Sequence, residues 1–110
     1  MAYDEELADR VRDVLAGEPG LVEKRMFGGL AFMIHGNMAV AASSQGGLLL
    51  RVNPHQSGAL LARPHVHPFE MRGRSMQGWL RVGSEAVDSD DDLRRWVSVG
   101  RSYARSLQPR

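Results

Sequence analysis

Histidines and acids are where catalytic or metal chemistry would have to begin in this sequence. There are four histidines and no cysteine, which excludes disulfides, thiolate nucleophiles and zinc sites built on sulfur. The one ligand-like spacing is His65-x-His67, which on a strand sets both rings on one face. Two histidines are fewer than the three or four ligands that zinc needs, so His35, His55, Glu70 or an aspartate would have to converge from elsewhere. His65 and His67 are therefore weak metal candidates, and no motif asks for a cofactor.

Nucleophile and phosphate motifs fail on spacing. Gly73-Arg74-Ser75-Met76-Gln77-Gly78 comes near the Gly-x-Ser-x-Gly elbow, but its second glycine falls one position late. A serine triad also needs a carboxylate to orient its histidine, and Glu70 is the only acid in this part of the chain. Gly28-Gly29 and Gly46-Gly47 are pairs and match neither phosphate-loop pattern. Glycines so placed predict bends or close backbone approach. No catalytic residue is assigned.

The densest stretch of binding-type residues is Pro68 to Trp79, which gathers Arg72, Arg74, Met71, Met76, Phe69 and Trp79. Arginine beside aromatic surface can hold phosphates and stack bases. Arg25, Arg51 and Arg81 would extend the patch if they shared its face. The plainer expectation is a hairpin in which Phe69, Met71 and Trp79 enter the core and Arg72 and Arg74 occupy a solvated turn.

Hydrophobic periodicity predicts the elements that must position these residues. Tyr3, Leu7, Val11, Val14 and Leu15 recur at helical spacing, and the pattern ends before Gly17 and Pro19-Gly20. From Leu30 to His35 the period is two, with Leu30, Phe32 and Ile34 on one side. Gly36-Asn37 then predicts a two-residue type II′ turn into a return strand carrying Met38, Val40 and Ala42, followed by Leu48 to Val52. Val22 to Phe27 reads either as a separate strand or as the start of the first one. Asn53-Pro54 opens a short helix to about Ala62. Extended segments return near Val66 to Met71 and Gly78 to Val82, and Ser89 caps a final helix with Leu93, Trp96, Val97, Gly100, Tyr103, Ala104 and Leu107 along one stripe.

Composition bounds the class. The chain has 110 residues, 43% hydrophobic and 25% charged, with a net charge of +1, as expected of a single domain spanning residues 1–110. That small net charge conceals segregation: residues 1–23 hold seven acids against two bases, whereas residues 24–84 hold one acid against seven bases. Thirteen of the fourteen bases are arginine, a residue suited to phosphate and carboxylate recognition. Absence of cysteine, of a basic signal-peptide start and of any apolar run near the roughly 20 residues that span a bilayer predicts a cytoplasmic protein with no membrane contact.

Arg25-Met26-Phe27-Gly28-Gly29, the following Phe32-Met33 and the closing Trp79-Leu80-Arg81-Val82 together resemble the amino-terminal domain of the TfoX/Sxy competence-regulator family, over nearly the whole chain. The resemblance implies an α+β fold of order α-β-β-β-α-β-β-α, an antiparallel sheet with flanking helices, similar in outline to secretion chaperones. The family's namesakes join this domain to a carboxy-terminal helical domain and act as coactivators of DNA-uptake genes; the chain stops before any such second domain, which implies a stand-alone form. The family brings no catalytic residues, so Met26, Phe27, Gly28 and Gly29 are signature positions of structural type.

Three functional readings follow in order. The first is a small non-enzymatic regulatory module that binds a protein partner, with a homodimer through a sheet face or edge as one way to cover exposed strands. The second is nucleic-acid binding through Arg25, Arg51, Arg72, Arg74 and Arg81, with Trp79 or Phe69 stacking. The third is a small metal binder or enzyme around His65, His67 and Glu70.

Overall fold

A computed structural model describes residues 3–26 and 28–110. The elements run α1 (Glu5–Val14), β1 (Leu21–Met26), β2 (Gly29–Ile34), β3 (Asn37–Ala42), β4 (Leu48–Arg51), α2 (Pro54–Leu61), β5 (Val66–Met71), β6 (Arg74–Val82), a 3-10 turn (Ser84–Val87) and α3 (Asp90–Ser106). The expected α+β order holds, with two additions. The segment whose role was open is a strand of its own, β1, and a 3-10 turn leads into α3.

The six strands form one antiparallel sheet in the order β1-β2-β3-β4-β6-β5. All three helices begin at side-chain caps: Asp4 accepts from the Leu7 N–H at 3.1 Å, Asn53 from His55 at 2.9 Å and Ser89 from Asp92 at 3.1 Å. Each cap satisfies an amide that the first helical turn leaves without a partner.

The helices cover one side of the sheet. There Leu7, Val11 and Leu15 of the first helical segment and Leu93, Trp96 and Val97 of α3 bury Phe32, Ile34, Val40, Leu48, Leu50, Leu80 and Val82 in the main core. Gly100 lets α3 lie directly on β3, because a Cβ at that position would run into the Ala39 carbonyl.

Three expectations about the strands are corrected. The β2–β3 turn is His35-Gly36, not Gly36-Asn37: both residues have positive φ, 50° and 84°, as a type I′ turn requires. Asn37 instead begins β3 and is buried, its Nδ2 donating to the Gln108 carbonyl at 2.9 Å. The alternation of Met38, Val40 and Ala42 is also broken. Phe32 pairs with Val40 but Met33 with Met38, so Ala39 is an extra residue that bulges toward the helices and turns Met38 to the other side. Finally, β6 starts at Arg74, reducing the loop before it to Arg72-Gly73, and Met71 is exposed and not in the core.

Candidate binding face of the sheet

Register decides which residues share the side of the sheet that carries no helix. Residues directly opposed across antiparallel strands point the same way. One unbroken row therefore crosses all six strands on the open side: Lys24, Ala31, Ala41, Leu49, Arg81 and His67. Its neighbour on the helix side is Arg25, Leu30, Ala42, Leu48, Val82 and Val66. A one-residue step along each strand is thus the difference between core and open surface.

The open side has its own small apolar cluster. Ala31, Met38, Ala41 and Leu49 are buried in it, and Met26, Met33, Phe69 and Trp79 pack around them half-buried. Met26 at one edge of the sheet and Phe69 at the other line the same cleft of about 290 Å3, together with Leu49, Glu70, Arg81 and the Ser43–Gln45 turn. Side chains from strands at opposite edges of the sheet thus line one cleft, over a floor that includes Ala41 and Leu49.

Charge partners separate the two sides sharply. Among the described residues the ion pairs are Arg10–Asp90, Arg12–Asp9, Arg12–Glu23, Arg94–Asp91, Arg101–Glu18 and Arg105–Glu18. Each involves a helix. Arg105 and Arg12 hold the Glu18 and Glu23 carboxyls below the usual carboxylate range, chiefly by direct hydrogen bonds, and the two arginines are held more firmly protonated in return. Lys24, Arg81, Arg72 and Arg74 take no part in these pairs, and Glu70 lines the cleft with Arg81 without an ion pair between them.

Arg51 lies opposite Trp79, its guanidinium 5.5 Å from the Trp79 ring centroid and 5.8 Å from that of Tyr103. Phe69 approaches Trp79 at 6.3 Å between centroids, tilted by 44°. One face of Trp79 is therefore already in contact with a cation.

The candidate residues read from the sequence are divided by this geometry. Arg81, Trp79 and Phe69 come together on the open side, whereas Arg51, opposite Trp79 at the end of β4, also reaches Tyr103 of α3 and does not line the cleft. Arg25 does not share that face: it belongs to the helix-side row at the far strand, because Lys24 takes the open-side position. Arg72 and Arg74 stand at the exposed tip of the β5–β6 hairpin, with Arg72 in the left-handed region at φ 53°. His65 precedes β5 with φ 64°, so the expected strand geometry for His65 and His67 does not arise, and among the described residues no three His, Asp or Glu side chains gather as a metal site. Of the signature positions, Met26 lines the cleft and Gly28 adopts φ 75°. Gly29 has no room for a Cβ, which would meet the Ala42 carbonyl, while Phe27 lies outside the described residues. Lys24 and the Ala31–Ala41–Leu49 floor were missed; period two carried back from Leu30 would have set Lys24 on the helix side, and only the β1–β2 register, which opposes Lys24 to Ala31, places it with them.

The model of the TfoX N-terminal domain matches residues 13–104, from the last turn of α1 through all six strands to the last turn of α3. The chain belongs to this family. The TfoX N-terminal match thus includes the whole sheet, its cleft and Gly28-Gly29 at the start of β2. No curated protein and no solved structure matches the chain significantly. Among the described residues of this TfoX N-terminal domain no helix is long and apolar enough to cross a membrane.

Proposed function

We propose that this TfoX N-terminal domain is a non-enzymatic regulatory module, a single domain working in the cytoplasm, that binds a protein partner on its open sheet face and assembles as a homodimer. Membership of a competence-regulator family supports the regulatory setting. The observation that carries the binding role is the helix-free cleft, with its apolar floor of Ala41 and Leu49 beside Arg81, which joins none of the ion pairs among the described residues. A surface of that kind suits a polypeptide segment that combines apolar side chains with carboxylates: the floor takes the former, and Arg81 and Lys24 at the flanks take the latter.

Peptide display against the wild-type protein and an Arg81→Glu variant tests this reading. Wild type is expected to enrich peptides with acidic residues beside apolar ones, and the variant to lose them. No enrichment, or enrichment indifferent to Arg81, would count against it.

The second reading, nucleic-acid binding, is favoured by the same cations with Arg72 and Arg74 at the hairpin tip. Its mark is affinity for labelled DNA or RNA that falls steeply between about 50 and 200 mM salt. Arg72→Ala with Arg74→Ala should then flatten the salt slope by about one unit per lost phosphate contact.

A further inference from the structure

The two edges of the sheet are built differently. At the β5 edge the Gly83 N–H donates to the His65 carbonyl at 2.8 Å, so the ladder alternation turns the backbone of Val66 and Pro68 away from β6. Pro68 has no N–H to offer there, and the pairing shifts between Pro68 and Glu70. Both features close an edge to further strands. The β1 edge has neither. Its register with β2 is continuous over six residues, it contains no proline, and Val22 is 60% exposed. The His35 N–H donates to the Gly20 carbonyl at 3.0 Å, so the backbones of Val22, Lys24 and Met26 face β2, and the N–H and C=O groups of Leu21, Glu23 and Arg25 face outward.

We propose that β1 pairs with β1 of a second copy of this chain, antiparallel, about a two-fold axis at Lys24. This rests on the homodimer part of the reading above and names its surface. The register sets Glu23 opposite Arg25 of the second copy, and Arg25 opposite its Glu23, on the helix side. On the open side Val22 meets Met26 of the second copy, and the reverse, which covers the most exposed apolar side chain. Glu23 is already held in place by Arg12, at 2.5 and 2.8 Å. Axes at Glu23 or Arg25 would form no cross-interface ion pair and would oppose like charges at the centre. The Lys24 axis has one repulsive contact, Lys24 against Lys24, which keeps the association modest and guards the edge against other strands. Joined in this way, the two sheets form one continuous antiparallel sheet of twelve strands.

The absence of cysteine makes the register directly testable. Lys24 would form a non-hydrogen-bonded pair with its symmetry mate, Cα atoms about 4.5 Å apart, a separation a disulfide spans. Lys24→Cys in a glutathione buffer is expected to yield a covalent dimer, while Met71→Cys at the β5 hairpin stays monomeric. Light scattering over a concentration series should show Arg25→Glu weakening the dimer about tenfold, from two pairs turned repulsive. Glu23→Arg combined with Arg25→Glu should restore it, and Lys24→Gln should tighten it. Circular dichroism confirms that each variant is folded. A wild-type chain monomeric at every concentration overturns the homodimer reading and this proposal with it, as does a chain whose β1 edge takes only a foreign peptide. A dimer indifferent to Arg25→Glu, with Lys24→Cys unlinked, overturns the β1 assignment and leaves the homodimer standing.

Discussion

On the helix side of the sheet Phe32, Ile34, Val40 and Leu50 are fully enclosed, and each ion pair found among the described residues involves a helix. On the open side the sheet presents small residues, methionines and half-buried aromatics, and cations outside those pairs. Alternation along a strand thus delivers two surfaces from one sequence, one spending its apolar area on stability and the other leaving area and charge for a partner. Substitutions one residue apart should therefore differ in kind.

The largest contrast is expected between neighbours in β2. Phe32→Ala removes a fully buried ring and should lower unfolding free energy by about 3–5 kcal/mol, whereas Met33→Ala, on the half-buried open side, should cost under about 1.5 kcal/mol. Urea unfolding of both variants measures the difference, and equal losses would mean that the open side is as much a core as the other.

Next in size is the seat of α3 on β3. Gly100→Val is expected to lower stability by about 1–3 kcal/mol, since the new side chain must push the helix off the Ala39 carbonyl or strain against Leu50. Thermal unfolding that matched wild type would show that this contact is not close.

The charged layer should declare itself in acid. The Glu18 and Glu23 carboxyls ionise at lower pH folded than unfolded, so the unfolded chain binds more protons there. Their contribution is present above the ordinary glutamate value, about pH 4.3, and is lost as pH falls through the lower folded values. Melting temperature should drop over that acid range, and Glu18→Gln should flatten the drop because its side chain, 4% exposed, is the better enclosed of the two. A drop unchanged in the variant would place the acid sensitivity elsewhere.

The smallest effect belongs to the open face. Arg81→Ala should change stability by no more than about 0.5 kcal/mol, because none of the ion pairs depends on it. A loss above about 1 kcal/mol in urea would make Arg81 part of the scaffold and weaken its assignment to partner binding.

Local chemistry was legible where it acts over a few residues. Asn53 and Ser89 each sit where a helix starts, and the stripe from Leu93 to Ala104 is buried except at half-buried Tyr103, because caps and helical period depend on neighbours three or four positions away. The β2–β3 turn was misplaced because its register is held from the far end of the chain. The Arg110 N–H donates to the His35 carbonyl at 2.8 Å and Gln108 accepts from Asn37, contacts no local pattern encodes. The bulge at Ala39 is of the same kind, set against a helix about sixty residues away in sequence, beneath Gly100.

The candidate site was less legible than the fold. Arg51, Trp79 and Arg81 were recognisable as residues that bind things, but only the pairing of β4 with β6 sets Arg51 opposite Trp79 and Leu49 opposite Arg81. Lys24 and Arg25 look interchangeable in sequence, yet one residue of register assigns the first to the cleft side and the second to the helix side.

What the residues determined unaided was the class of the molecule: an α+β domain without cysteine, its last two helices capped, its family signature at Met26 to Gly29, its middle stretch basic for want of acids. What only the tertiary structure decided was company. Which cations share a face, which apolar residues form a floor and which strand edge stays open all depend on strand order and register, and those are settled by the long-range contacts that fold the chain rather than by any residue's neighbours in sequence.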